Sequence, residues 1–189
     1  MDISNARSLS VAPEDFRNAM RNQVSTVSIV ACGQVGGRSG LTATAACSLS
    51  ESPAMVTVCV NRNSRAHDAV LEARCFSLNF LSAEQIELAD AFSGKTGLNG
   101  ESRFKSGTWS RLFTGAPILD EALVNLDCEL ESTHEFSTHS IFAGVVRATR
   151  VDHERTPLLY AQGRYLTLNH GRTPSRNVGR PLRNHEEKP

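Results

Sequence analysis

Hydrophobic positions along the chain recur mostly with strand periods and short apolar runs. Val24 to Cys32 is a continuous, β-branched apolar stretch that runs into Gly33-Gln34-Val35-Gly36-Gly37 and then into a strand through Thr42, which predicts a hairpin. Cys75 to Phe80 reads as another strand, and Val124 to Glu131 alternates apolar and polar without error, predicting one core face and one wet face. Ser140 to Ala148 and Leu158 to Ala161 supply further strands. Helical spacing is brief. Pro13 with Glu14 and Asp15 makes a good first turn ahead of Phe16 and Met20, and Ser64 is placed to cap a helix with Ala66, Ala69, Val70 and Ala73 on one face. Ser82 and Gln85 form an S-x-x-Q capping box for a helix through Phe92, with Ile86 and Ala89 inward.

Six or seven strands with two or three short helices, in no βαβ rhythm, predict a mainly β fold: an antiparallel barrel with peripheral helices. One domain over residues 13–168 accounts for the pattern. Residues 1–12 are polar and predicted to be flexible. The 169–189 tail carries Arg172, Arg176, Arg180, Arg183 and Lys188 among Gly, Pro and Asn without an apolar period, and is predicted to be flexible as well. Residues 93–115 also lack periodicity, and a loop of that length in a compact domain is usually functional.

Composition narrows the picture. Twenty basic residues balance twenty acidic ones over 189 residues, so net charge gives no reason to invoke nucleic acid. Only Lys95, Lys105 and Lys188 of the basic residues are lysine; the arginine bias suits either phosphate recognition or surface ion pairs. Five widely spaced cysteines, Cys32, Cys47, Cys59, Cys75 and Cys128, sit in apolar runs and read as buried thiols. No apolar run reaches membrane-spanning length, and the start of the chain lacks a signal-peptide core, so a cytoplasmic protein with no membrane association is expected.

Familiar catalytic signals fail. Ala89 to Thr96 fits a relaxed P-loop pattern but closes a helix instead of opening one, and Gly33, Gly36, Gly37 and Gly40 make no G-x-G-x-x-G. His134 and His139 are five apart, which on one strand points them to opposite faces, so no metal site is expected. A G-x-S-x-G elbow is missing. What stands out is a run of small residues from Thr42 to Ser50, broken only by Leu49, followed by a Ser52-Pro53 turn and an apolar strand ending in Asn61-Arg62-Asn63-Ser64-Arg65. Small side chains leave strand backbone open to a flat ligand, and the second segment offers hydroxyl, amide and guanidinium donors to a phosphate. That layout suits FMN. The alternative is a small-residue strand packed tightly under a helix.

The run Gly40 to Leu49, with Val58-Cys59-Val60-Asn61 after the Pro turn, resembles the FMN-binding split-barrel flavin reductases. The likeness is greatest to the reductase components of two-component aromatic monooxygenases of the 4-hydroxyphenylacetate 3-monooxygenase type. Phe16 to Met20, Phe92 to Gly97, Glu101 to Phe104, Leu126 to Glu129, Ser137-Thr138-His139 and Gly163-Arg164-Tyr165 follow in the family's order, so the resemblance covers residues 14–168. It implies a Greek-key split barrel, a homodimer, FMN or FAD as flavin, NADH or NADPH as hydride donor, and a partner monooxygenase that receives reduced flavin. An FMN-binding electron-transfer or storage protein, or an oxidase of the pyridoxamine-phosphate type, uses the same fold.

Position by position, the resemblance implies ring contacts from Gly40, Leu41, Thr42, Ala43, Thr44, Ala45, Ala46 and Ser48. It implies ribityl contacts from Cys59, Val60 and Asn61, and a phosphate turn at Ser64, Arg65 and Ala66. Phe92 and Ser93, with Lys95 or Arg103, match a second phosphate wall, and Tyr165 lies near the cofactor. His139 matches the histidine on the nicotinamide side, where an imidazole can bond the carboxamide or buffer a proton, and is the catalytic candidate. Hydride transfer asks mainly for stacking and orientation, which explains a site with few reactive side chains. Two departures are visible: Ala54 stands where relatives carry a second proline, and Ser137 where they carry glycine.

Overall fold

A computed structural model describes residues 11–168; the predicted tail at 169–189 and all but the last two residues of the 1–12 segment lie outside them. Helix α1 (Pro13–Met20) leads into strands β1 (Ser25–Thr26), β2 (Ser28–Cys32), β3 (Ser39–Ala43), β4 (Ala46–Glu51) and β5 (Ala54–Asn61). Helix α2 (Arg65–Ala73), β6 (Cys75–Phe80), α3 (Ile86–Ser93), a 3-10 turn (Gly100–Lys105), β7 (Trp109–Arg111) and β8 (Pro117–Leu119) follow. The long hairpin β9 (Val124–Phe136) and β10 (His139–Val151) precedes β11 (Leu158–Ala161) and β12 (Arg164–Thr167). Every pairing is antiparallel, with a seven-stranded sheet in the order β3-β2-β6-β9-β10-β5-β4, a small sheet β1-β11-β12 and the ribbon β7-β8. Among the described residues no helix is long and apolar enough to cross a membrane.

Two cores explain the hydrophobic pattern. Strand β2 is buried at every position because alternate residues feed different cores. Val30 and Cys32 join Val58, Val60, Phe76, Leu78, Phe142 and Val70 of α2 in the first core. Ile29 and Ala31 join Ala89 and Phe92 of α3, Phe104, Leu119 and Leu158 in the second. Helix α2 starts where the sequence places it: Ser64 Oγ accepts from the His67 amide at 3.3 Å, and Arg74 ends the helix in a left-handed conformation.

The expected wet face of β9 is only half wet. Glu129 and Glu131 are exposed, but Asn125 and Asp127 are fully buried beneath the segment that returns through β8. Asp127 accepts from the Thr114 amide at 2.7 Å and from the Thr114 hydroxyl, while Asn125 donates to Asn79 and to Leu119 O at 2.9 Å each. Both Asp127 oxygens and the Asn125 amide nitrogen are thus bonded inside the protein, while Asn125 Oδ1 is buried without a partner, and alternation alone cannot tell such a face from a wet one. Helix α3 likewise begins one turn later than its box suggests. Gln85 Oε1 accepts from the Ser82 amide at 2.9 Å, yet the helix runs from Ile86, which is 39% exposed, while Ala89 and Phe92 face the core. His134 and His139 lie on different strands, because the hairpin turns at Ser137-Thr138 between them. Residues 93–115 hold a 3-10 turn and β7, anchored by the Phe92, Phe104 and Trp109 rings, which meet at centroid distances of 4.8 to 5.6 Å.

Candidate functional site

The small-residue run bends between Ala43 and Ala46, so β3 and β4 are separate strands joined at Thr44-Ala45. Above this bend lies a hollow of about 370 Å³ between β3, the end of β5, the end of α3 and the start of β10. Leu41 to Ala45 form one wall; Cys59, Asn61, Ser64, Phe92, Ser93 and His139 complete it. A second hollow of about 270 Å³ shares Leu41 and Ser64 with the first and adds Ser39, Gly40, Arg65, Ala66, Asn99, Gly100 and Arg103. A third, of about 150 Å³, shares Thr42, Thr44 and Ser93 and adds Val27, Lys95, Tyr160 and Tyr165. The three form one groove along β3.

The packing alternative and the ligand alternative are divided between neighbouring residues. Gly40 serves packing: a Cβ there would stand 2.7 Å from Val30 O and 2.9 Å from the Phe92 ring, so only glycine lets α3 approach this closely. Thr42 is shared. Its hydroxyl donates to Ala89 O at 2.7 Å, which ties α3 down and leaves the oxygen's lone pairs to the groove. Thr44 and Ala45 are exposed on the groove wall.

One end of the groove is cationic. Arg103 donates through Nη1 to Gly40 O at 3.0 Å and Phe92 O at 3.1 Å, and through Nε to Leu98 O at 2.8 Å, so its guanidinium is fixed by carbonyls. Burial first, and then the nearby charge of Arg65, pull its pKa below the ordinary arginine value. Glu101, the closest acid in sequence, is taken by Arg38 in an ion pair that also stacks Arg38 over Phe104 at 4.6 Å. Among the described residues no carboxylate pairs with Arg65 or Arg103. The capped N-terminus of α2 opens onto the same hollow and adds its unpaired amides and dipole. Two cations without counter-ions beside a helix N-terminus fit a phosphate.

The other end is a closed network. Tyr165 donates its hydroxyl to Asp90 Oδ1 at 2.8 Å, Lys95 reaches the same oxygen at 2.6 Å, and the Lys95 ammonium lies 4.9 Å from the Tyr165 ring centre. Burial, then the bond to Asp90, push the Tyr165 hydroxyl up to about 12, while Lys95 and then Tyr165 hold the Asp90 carboxyl below its usual range. Of the two basic residues, Arg103 lines the same hollow as Arg65, and Lys95 is ion-paired with Asp90 at the far end. Asp90 was not legible as a site residue, since a lone carboxylate inside a helix carries no spacing signal.

His139 opens β10 opposite Asn61, on the groove wall. Its Nδ1 lies 2.8 Å from the Thr138 hydroxyl, and Nε2 has no partner among the described residues. The Asn61 side chain accepts from the Asn63 amide at 2.8 Å and so shapes the turn into Ser64. Ser137, where the resemblance implies glycine, takes a positive φ of 20° in the adjoining turn. Three expected contacts lie outside the groove. Val60 is fully buried in the first core, Ala46 packs against that core, and Ser48 is exposed on the edge strand β4 opposite Val56. Strand alternation turns Val60 inward between Cys59 and Asn61, and the bend at Thr44-Ala45 carries Ala46 and Ser48 away.

Comparison with known proteins identifies the fold family. The flavin reductase like domain matches residues 20–169. An FMN reductase (NADH) RutF 1 of Methylorubrum extorquens is 37% identical over 173 residues, covering 92% of this chain and 84% of its own. The NADH:FAD oxidoreductase SgcE6 of Streptomyces globisporus, solved with NAD and FAD fragments, superposes with a TM-score of 0.75 at 25% identity over 89% of this chain and 99% of its own. BorF, the flavin reductase component of a bacterial two-component tryptophan halogenase, gives 0.76 at 26% identity over 83% and 98%. A β3 groove with a cationic end, on a split barrel matched over nearly all its length, makes this chain a member of the flavin reductase like domain family.

Proposed function

We propose that the protein is an NADH-dependent flavin reductase that seats FMN along the β3 groove and passes reduced flavin to a partner monooxygenase. The observation that carries this reading is the Arg65 and Arg103 pair, free of carboxylates, at one end of a groove whose middle is walled by Thr42 to Ala45. Arg65, Arg103 and the α2 amides hold the phosphate, and the small residues of β3 leave a flat wall for the ring. When bound, the flavin supplies the ring that accepts a hydride from the nicotinamide. The protein's own part is orientation: His139, on the groove wall with Nε2 unpartnered among the described residues, would bond the carboxamide, and Phe92 and Ser93 complete the lining. The names of the relatives support FMN and NADH, and the halogenase and SgcE6 likenesses support a two-component partner and a tolerance for FAD.

A second copy of the chain completes the molecule in this reading. Phe16 and Met20 of α1 are 56% and 47% exposed, beside a hollow that shares Thr44 and Ala45 with the groove, and β4 is an open sheet edge carrying exposed Leu49. Covering these surfaces favours a homodimer. Following NADH absorbance with purified protein and added FMN tests the function: saturable oxidation that requires flavin is expected. A tightly yellow protein without turnover would make the chain a flavin carrier instead.

A further inference from the structure

Beneath the groove, on the core side of β10, buried Ser140 and His67 form a hydrogen-bonded row that ends at the exposed Asp68 and joins the phosphate turn to the strand that carries His139. His67 is 5% exposed, with Nε2 at 2.9 Å from Ser140 Oγ and Nδ1 at 3.0 Å from Asp68 Oδ1. A carboxylate only accepts, so Nδ1 carries the proton, and in the neutral ring Nε2 accepts from the Ser140 hydroxyl. These are the residue types of a hydrolytic triad. Ser140, however, is fully buried near the start of β10, between Val60 and Glu135 of the flanking strands, where no substrate carbonyl can reach its oxygen. The row therefore acts through geometry.

The informative part is what His67 and Ser140 are each attached to. His67 sits two residues beyond Arg65; its amide meets Ser64 O at 3.0 Å and Ser64 Oγ at 3.3 Å, and its ring stacks on Phe142 at 5.2 Å. Ser140 directly follows His139 on β10, and neighbours on a strand point to opposite faces. A bond from below to Ser140 thus fixes the strand whose upper face presents His139 and, across the ladder, Asn61. We propose that His67 is a positioning residue that holds Arg65 and His139 at one spacing, so that the phosphate seat and the nicotinamide side of the groove stay in register. This rests on the reductase reading above.

Three variants test it: His67→Phe, which keeps ring volume and loses both bonds; His67→Gln, whose amide can still meet Ser140; and Ser140→Ala. Titration with FMN and riboflavin is combined with NADH kinetics and thermal melting. His67→Phe and Ser140→Ala should each weaken FMN by roughly two- to twelvefold while riboflavin changes less, and raise KM for NADH over the same range, as expected for one lost hydrogen bond. His67→Gln should return both constants to within about twofold of the parent chain, and the His67→Phe, Ser140→Ala double variant should be no worse than the poorer single one. Should His67→Phe fail to fold, Ser140→Ala carries the same test with a smaller change. Variants that melt earlier but keep the FMN to riboflavin ratio and KM overturn the proposal, as does full additivity. A parent chain that neither binds FMN nor oxidises NADH removes the reductase reading and this one together.

Discussion

Gly40 lies so close under Phe92 that an added Cβ would stand 2.9 Å from the ring and 2.7 Å from Val30 O. One contact is with backbone and the other with a fully buried ring, so neither can yield cheaply. Gly40→Ala should therefore destabilise the fold by about 1 to 3 kcal/mol, the ordinary range for overpacking, and lower the melting temperature. Denaturant unfolding measures it directly; an unchanged midpoint would mean that α3 does not rest on β3 in this way.

Ala45 gives the opposite case. It is exposed at the bend and borders the groove, so Ala45→Leu should fold normally while filling the space a flat ring needs. Flavin titration beside thermal melting separates the effects: lost binding at an unchanged melting temperature is expected. A lowered melting temperature with intact affinity would place the ring elsewhere.

His139→Ala should raise KM for the nicotinamide nucleotide or slow flavin reduction, with flavin affinity nearly constant. One hydrogen bond to a carboxamide is worth about 0.5 to 1.5 kcal/mol, or roughly two- to twelvefold in kcat/KM. Stopped-flow reduction at several NADH concentrations checks it. An unchanged rate would assign His139 to the Thr138 turn alone.

Tyr165 sets a pH dependence. Its hydroxyl is raised to about 12 in the folded chain against an unfolded value near 10, chiefly by burial and the bond to Asp90. The stabilisation is therefore fully present below about pH 10 and is lost as pH rises through about 12. Phenolate absorbance should show a folded-state step near 12 that disappears in Tyr165→Phe. A step near 10 from this residue would show that neither its burial nor the bond to Asp90 holds.

Much of this was legible in the sequence, for identifiable reasons. The Ser64 cap, strand Cys75–Phe80 and the β2 to β3 hairpin announce themselves through local chemistry, which does not depend on what packs above them. The groove wall at Thr42 to Ala45 was visible because so many small residues in a row have few structural uses. What was not legible depended on tertiary partners. Asn125 and Asp127 look solvent-facing until Asn79 and Thr114 arrive to bond them, and the inward turn of Val60 between two groove-wall residues is set by the ladder of β5 with β10. His67 and Ser140 are 73 residues apart, and no spacing rule joins them.

The central claim is that the flavin phosphate sits between Arg65 and Arg103. Its most direct test is a paired titration of FMN and riboflavin against the parent chain and Arg65→Ala. Loss of a charge-assisted bond to phosphate should weaken FMN by about 1.5 to 3 kcal/mol and leave riboflavin, which has no phosphate, nearly unchanged. Equal losses for both ligands, or none for either, would contradict the placement of the phosphate at this end of the groove.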